Sequence, residues 1–569
     1  LLFKNVNIAG IAAALFAVHT LHVESVAWVS ERKDVLYALF FVASLIFYVK
    51  YTDSEKKYFY LISLLLFILS LFSKGQAVSL SVTLFAIDFL RNRKLLSTKV
   101  IIEKIPFLIL AIVFGLIAVK AQSQSEALSD EDAYNFIQRI LIGSFAFSTY
   151  ILKLILPVNL SAINPYPDIL HKTIPAYFSI FLIPTGLVIY LFFKNIKKNK
   201  ETAFSIAFFI INIILLLQFI PVGSAIYADR YAYIPSIGFF IILALVIVKI
   251  GESRSNVKKT LFYASMFYIG ILTLLTFNRT KVWNNSFSLW QNTVEESPKA
   301  VVAWNNLGNY YENEAKRLAE NKEFQESIPI RKKAIECFTN AITTKPDYSS
   351  AFYNRGVSYY EYYQISKDSS SIFQSIKDFS NAVLYNKLFD DAYHYRANCK
   401  SEIQRFDEAI MDFDIAISID QKKALFYVNR GICLGKMGKL DKSIEDFNTA
   451  EKLEPLNESI YSNRGLAKAF SGKYQEAILD YNRAIELKPD FLTAYYNRAF
   501  SEQKLGNFKN AIKDLTFVLQ KDSKFTDAYN IRAYCYEILK MKDEACADYS
   551  ESAKQGNAFA KEKIKIYCK

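Results

Sequence analysis

Residues 19–34 read His-Thr-Leu-His-Val-Glu-Ser-Val-Ala-Trp-Val-Ser-Glu-Arg-Lys-Asp and gather His19, His22, Glu24, Arg32 and Asp34 at a turn between two apolar stretches. Ionisable side chains at membrane depth are costly, so such a cluster points to a function. Glu24 and Asp34 are the candidates for catalytic proton transfer, because a carboxylate at low dielectric can hold and release a proton. A plainer reading makes Glu24, Glu31, Arg32 and Asp34 interfacial ion pairs and the histidines helix-end caps. His19 and His22, three apart, could share a metal, but a third ligand is missing and no metal is expected. A second cluster runs from Tyr227 to Gly238 and sets Asp229 beside Arg230, whose planar fork suits a phosphate. Its tyrosines suit an interfacial belt, and Pro235 suits a first helical turn. Lys74 stands at another turn, where a snorkelling lysine is the plain alternative. Asn164-Pro-Tyr-Pro-Asp168 forms a third loop with one carboxylate.

These turns must be positioned by the apolar runs around them. The chain has 569 residues, too many for one core, and its mean hydropathy of +0.13 averages an apolar half and a polar half. Runs able to cross hydrocarbon lie near 8–23, 35–51, 58–72, 77–90, 104–120, 175–193, 203–221, 235–250 and 260–277. Much of the +13 formal charge sits in loops between them: Arg91, Arg93, Lys94 and Lys99, then Lys194, Lys197, Lys198 and Lys200, then Arg254, Lys258 and Lys259. That distribution is the positive-inside signature of a membrane protein and argues against nucleic-acid binding. With those loops in the cytoplasm, the 19–34 and 227–238 clusters face outside, as does the loop of Glu126, Asp130, Glu131 and Asp132. Counting residues 136–156 as a span would reverse this order, so they are expected to form a re-entrant or interfacial helix. Whatever follows residue 280 then lies outside too.

Past that point Arg396, Arg430, Arg464, Arg498 and Arg532 recur every 34 residues, the length of a tetratricopeptide repeat. Gly431, Phe447, Ala450 and Pro455 occupy its small, aromatic, small and terminating positions, and Gly465, Tyr481, Ala484 and Pro489 repeat them. The expected organisation is a polytopic helical domain over 1–280 and seven repeats over 301–559: 301–348, 349–389, 390–423, 424–457, 458–491, 492–525 and 526–559. A capping helix over 560–569 closes the array. The first two repeats carry extra residues in multiples of seven, which fit either longer helices or a loop. Asn306, Asn354, Asn429, Asn463 and Asn497 share one repeat position, and an Asn row can hold a peptide backbone from both sides. The same row can also be a local hydrogen-bonding cap. All six cysteines lie in this half; no CxxC occurs, and Cys399, Cys433 and Cys535 take a small buried position too widely spaced to bridge.

The runs His19–Asp34, Asp229–Gly238 and Arg279-Thr-Lys-Val-Trp283, followed by the repeats, resemble the transmembrane and TPR-containing family. That family includes protein O-mannosyltransferases of the GT-C glycosyltransferase class and bacterial members. The resemblance implies an all-α fold, a GT-C-like membrane domain followed by a TPR α-solenoid, in a bacterial cytoplasmic (inner) membrane. It implies a lipid-phosphate-linked sugar as donor substrate, no certain cofactor, and inverting transfer to a protein hydroxyl. His19, His22, Arg32, Lys74, Asp229 and Arg230 would bind the donor phosphate, and the Asn row the acceptor peptide on an extracytoplasmic solenoid. In GT-C enzymes the catalytic carboxylate sits in the first outer loop. The first span here resembles the family's third, so the main base is expected to precede Leu1, leaving Glu24 and Asp34 as substitutes. His22, Arg32 and Arg230 are expected to line one cavity, and Arg230→Ala to stop transfer without disturbing the fold. The alternatives are a non-catalytic membrane-anchored scaffold that uses its repeats for assembly and, less directly, a transporter.

Overall fold

The computed structural model describes residue 2 and residues 5–124, 134–167, 173–217, 219 and 225–568. Asp168 and the acidic loop of Glu126, Asp130, Glu131 and Asp132 lie outside the described residues. The chain divides into two compact units: Leu1–Asn321 with Lys332–Pro346, and Lys322–Arg331 with Asp347–Lys569. Among the described residues the fold is all-α apart from one antiparallel strand pair, β1 (Asn164–Pro165) with β2 (Ala225–Tyr227).

In the first unit the helices are α1 (Val6–Val18), α2 (Val23–Ala27), α3 (Arg32–Ser54), α4 (Lys57–Ser73), α5 (Ser79–Leu90), α6 (Thr98–Gln124), α7 (Phe136–Ile155), α8 (Leu182–Lys198), α9 (Lys200–Ile213), α10 (Pro235–Ser253) and α11 (Ser255–Val282). Each of the nine apolar runs is therefore helical, at least in part. Their starts follow local chemistry: the Asn5 side chain accepts from the amides of Asn7 and Ile8, Asn135 and Gln138 form a capping box, and Pro235 opens α10. Among the described residues, five stretches are long and apolar enough to cross a membrane: Val29–Ser54, Thr98–Ala121, Ala176–Lys198, Pro235–Ser253 and Asn256–Val282. A sixth arises if α1 and Thr20–Ala27, bent by 53°, are one span. The remaining apolar helices are shorter, with 17, 12 and 14 residues in α4, α5 and α9. Phe193, Phe267, Leu274 and Phe277 stand exposed on α8 and α11, as a hydrocarbon solvent requires. The protein is an integral membrane protein.

The helix ends sort into two groups. At one end Asn5 bonds Glu252, Lys99 pairs with Glu55, Arg91 with Asp53 and Lys249 with Glu201. Beneath them Arg93 bridges buried Asp88 and Glu103, and Tyr48 donates to Asp88, which Lys104 also contacts. The opposite end gathers the 19–34, 74–78, 162–166, 225–236 and 276–290 segments. Helix α7 starts beside Tyr166, against which Tyr134 stacks at 5.4 Å, and ends where the Leu154 carbonyl meets His19. Both of its ends thus lie near the segments that carry the clusters. Its inner face fills an aromatic core with Phe147, Tyr150, Phe178, Phe209 and Phe240. The unit also takes in α12 (Ser286–Glu296) and α13 (Val301–Glu320), where Trp290, Trp304 and Leu307 pack with Ile163.

In the second unit the periodic arginine is a staple. Arg396 grips Asp412 through Nε and Nη2 at 2.8 and 2.6 Å, and Arg430–Asp446, Arg464–Asp480, Arg498–Asp514 and Arg532–Asp548 repeat the fork sixteen residues apart. Nη1 of each reaches sixteen residues back into the preceding repeat, to Ser380, Asp414, Asn448, Asn482 and Thr516. One guanidinium therefore ties its two helices together and to their neighbour. In the repeat with seven extra residues, Arg355 still forks onto Asp378, 23 residues on. The extra residues lengthen its helices to 18 and 17 residues, against 13 and 14 in Asp390–Glu402 and Phe406–Ile419. Seven residues are nearly two whole turns, so the pair keeps its facing. Gly465 leaves room for the Tyr481 ring, since a Cβ there would sit 2.8 Å from it.

Arg464→Ala should leave the buried Asp480 carboxylate with Lys468 as its remaining cation, at 2.9 Å, and destabilise its repeat by about 1–3 kcal/mol. Hydrogen exchange over residues 458–487 reads this directly. Exposed Arg483→Ala should leave the exchange unchanged.

Candidate functional site

The two outer clusters meet although 206 residues separate their key members. Glu24 accepts from the Arg230 backbone N–H at 2.9 Å and from the Arg230 guanidinium. Three further ties hold the segments in register. His22 donates Nδ1–H to the Phe16 carbonyl at 2.8 Å, and its Nε2 lies 3.0 Å from the Ser236 hydroxyl. Thr20 meets Thr276 of α11 at 3.1 Å. A Cβ on Gly238 would come within 2.6 Å of the Ser205 carbonyl, so glycine lets α10 approach α9. Tyr150 fixes the approach to Asp229, exchanging hydrogen bonds with Ala228 at 3.1 and 3.2 Å.

Beside this junction lies a cavity of about 420 Å³. Lys33, Lys74, Glu31, Arg230 and Tyr231 form its polar wall; Gly115, Ala118 and Val119 of α6, with Leu215 and Leu216, form its apolar wall. Lys74 contacts Asp34, which also accepts from Ser25 at 3.2 Å, and sits 3.7 Å from Glu31. Glu31 is 3.4 Å from Lys33 and 3.8 Å from Arg230, while its buried Oε2 accepts no hydrogen bond among the described residues. The apolar wall continues α6, one of the helices long enough to cross a membrane. A ligand with an anionic head and an apolar tail matches both walls.

Of the residues expected at a donor phosphate, Lys74 and Arg230 line this cavity. His19 and His22 are buried and do not line it; His19 Nε2 donates to the Leu154 carbonyl at 3.2 Å, and these bonds fasten helices. Arg32 is exposed on the first turn of α3 and does not line this cavity, so of the expected trio of His22, Arg32 and Arg230 only Arg230 lines it. Asp229 is buried 3.7 Å from Lys153. Burial pushes its carboxyl above the usual range, against the pull of Lys153, Arg279 and Arg230. Glu24 and Asp34 each face a cation, so the structure places them behind Arg230 and Lys74. Lys33 was not singled out from sequence, and Glu31 was read only as one of a set of interfacial ion pairs, while their neighbours Arg32 and Asp34 were singled out. Among the described residues no group of three or more His, Cys, Asp or Glu side chains is arranged to hold a metal ion.

The Asn row divides in its contacts. Asn429 lies 2.7 Å from His394 Nε2, which also meets Asn398 at 3.3 Å. Burial lowers the His394 pKa to about 4, so the ring is neutral at pH 7 and its Nε2 accepts from both amides. Asn354 also has an interaction, whereas the half-buried Asn306, Asn463 and Asn497 side chains hold no hydrogen bond among the described residues. Asn463 lines a cavity of about 620 Å³ in the second unit with Ile432, Phe447, Leu466 and exposed Phe470. Sequence reading did not find the Cys546–Cys568 disulfide, whose Cα atoms are 5.7 Å apart; Cys337, Cys399, Cys433 and Cys535 are free and buried.

The fold and site define a membrane protein with tetratricopeptide repeats. The tetratricopeptide-repeat family matches residues 424–455, and a second description, TPR repeat, matches residues 471–506. The chain is 26% identical over 357 residues to a Caenorhabditis elegans protein named protein O-mannosyl-transferase F38B6.6, covering 61% of this chain and 47% of that one. It is 25% identical over 403 residues to human protein O-mannosyl-transferase TMTC3, covering 63% and 41%. Thus the chain spans less than half the length of these relatives. In solved structures, the TPR protein YrrB overlaps 36% of this chain and 95% of its own, at 16% identity and a TM-score of 0.29. In sequence and architecture the chain fits the transmembrane and tetratricopeptide-repeat family of the named O-mannosyl-transferases.

The Glu24 pairing changes what Arg230→Ala should do. Rather than leave the fold intact, it should strand a buried carboxylate and cost about 3–5 kcal/mol. Thermal unfolding of the chain in detergent would show a lowered midpoint, and Glu24→Leu combined with Arg230→Met should recover most of it.

Proposed function

We propose that the protein is a membrane glycosyltransferase that moves a sugar from a lipid-phosphate donor to a hydroxyl of a protein. The observation that carries this is the 420 Å³ cavity, where Lys33, Lys74 and Arg230 face an apolar wall. The names of the relatives, protein O-mannosyl-transferases, agree with it. In the reaction the bond from the sugar anomeric carbon to the phosphate oxygen breaks, and the phosphate leaves with the electron pair. The acceptor oxygen bonds to that carbon from the opposite face and gives up its proton to solvent water. Lys74 and Arg230 meet the charge that grows on the departing phosphate, the kind of contact that counts most in such a step. Glu24 and Asp34 are positioning residues: each fixes a cation rather than taking the proton of the acceptor hydroxyl.

The repeats are read as the acceptor-binding part. Asn463 and Asn497 offer free amides, and the cavity beside Asn463 offers an apolar shelf for a peptide side chain. An extracytoplasmic location for the repeats is supported by the Cys546–Cys568 bridge, since disulfides persist in oxidising compartments. It is supported as well by the basic loops, which gather at the end of the membrane unit opposite the clusters. A bacterial inner membrane remains the expected setting. The scaffold reading would leave the cationic cavity without a ligand.

The test uses the chain in nanodiscs with a polyprenyl-phosphate hexose and a Ser/Thr peptide. Lys33→Gln removes a half-exposed cation from buried Glu31, which keeps Lys74 at 3.7 Å and Arg230 at 3.8 Å, and should weaken donor binding about tenfold with folding intact. Arg230→Lys keeps the charge but loses the fork, and should slow transfer by about two orders of magnitude. Full donor affinity in Lys33→Gln, or no sugar consumed by the unaltered chain, would favour the scaffold.

A further inference from the structure

Arg230 and Tyr231 line a second cavity as well as the first, so they form a shared wall between the two. This second space is about 210 Å³, room for a single pyranose ring. Three of the chain's four tryptophans, Trp28, Trp283 and Trp290, line it. Trp28 comes from the His19–Asp34 run, Trp283 from the Arg279–Trp283 run, and Trp290 from α12. The Trp28 and Trp283 rings lie 5.7 Å apart at 36°, and the Arg230 guanidinium sits 5.5 Å from the Trp28 ring and 5.0 Å from the Tyr231 ring. Ala162, Ala225 and Ala228 keep the facing wall short.

Two features set this cavity apart from ordinary aromatic packing. Large indoles normally close a core to near-crystalline density, yet here they surround a space. The Trp283 Nε1–H is buried and has no hydrogen-bond partner among the described residues, whereas buried indole N–H groups usually find one. Trp304, the fourth tryptophan, does find one, at the Pro298 carbonyl. A pyranose ring supplies both missing halves: a flat apolar C–H face for an indole and hydroxyl oxygens for its N–H. We propose that the tryptophan cavity is the sugar subsite, holding one hexopyranose of the donor while its phosphate stays with Lys33, Lys74 and Arg230. The proposal rests on the lipid-phosphate reading above. Arg230, in the shared wall, then lies at the sugar–phosphate linkage. The small volume favours a monosaccharide over a longer glycan.

The experiment compares two probes on the chain in nanodiscs: a short polyprenyl phosphate, and the same lipid carrying one hexose. The hexosyl lipid should bind about tenfold more tightly, the scale of one aromatic contact with one hydrogen bond. Trp283→Leu should abolish that difference and leave the affinity for the bare phosphate unchanged. Ala162→Leu, which fills the cavity from the opposite wall, should do the same without removing an indole. Equal affinities in the unaltered chain, or a difference that survives both substitutions, would overturn the sugar subsite while leaving the donor cavity standing. Loss of Ser/Thr peptide binding in these variants with the lipid difference intact would assign the space to the acceptor and overturn it equally. If neither lipid binds, the donor reading itself falls, and the subsite with it.

Discussion

A buried carboxylate cannot stay charged in an apolar surrounding unless a cation and hydrogen bonds meet it. Glu24, 2% exposed, meets that demand with both a side chain and a backbone amide of one residue, Arg230. Because the backbone takes part, the pair fixes the path of the 229–232 segment as well as the position of a guanidinium. The bonds from His22 toward Ser236 and from Thr20 to Thr276 follow from that registration, bringing α1, α10 and α11 to one end of the membrane unit. Both cavities border Arg230, so their shapes depend on this single junction. Removing the guanidinium would leave the Glu24 charge with a backbone amide and no cation, which explains why the residue best placed to meet a phosphate is also a residue the fold needs.

The second unit uses the same chemistry at short range. Each Arg–Asp fork closes one helix pair, and the third nitrogen reaches the preceding repeat. In a solenoid every unit touches only its neighbours, so a contact repeated at fixed offsets propagates order along the array. The membrane unit has no such periodicity, and its ion pairs join segments far apart in the chain. Tight geometry in both halves comes from arginine, whose planar fork satisfies two carboxylate oxygens at once.

Much of this was legible in the sequence. The apolar runs became helices, the basic loops gathered at one end, and the clusters at 19–34 and 227–238 met at the other. The 34-residue period marked Arg396 to Arg532, but not their partners, because the carboxylates sixteen residues on lie on a different helix. The site was less legible for a geometric reason. Around a helix each residue turns by about 100°, so in the run Glu31-Arg32-Lys33-Asp34 the first and last point inward and Arg32 outward. Sequence alone did not show where the short 3₁₀ turn at Val29–Glu31 gives way to α3, and that phase decides which cation reaches the cavity. Charged types in a cluster were therefore visible before their directions were. The His19 and His22 rings illustrate the same limit, since their burial against backbone carbonyls depends on the bend between α1 and α2. The Cys546–Cys568 bridge was hidden because its second cysteine belongs to the closing helix rather than to a repeat position.

The central claim is that an anionic lipid head sits among Lys33, Lys74 and Arg230 with its chain along α6. Photo-crosslinking with a polyprenyl-phosphate hexose that carries a diazirine on its first isoprene unit addresses it most directly. Peptide mapping should place the label at residues 115–119 and 215–216, and an excess of unlabelled lipid should remove it. Label confined to the exposed faces of α8 and α11, with none on those two segments, would contradict the account.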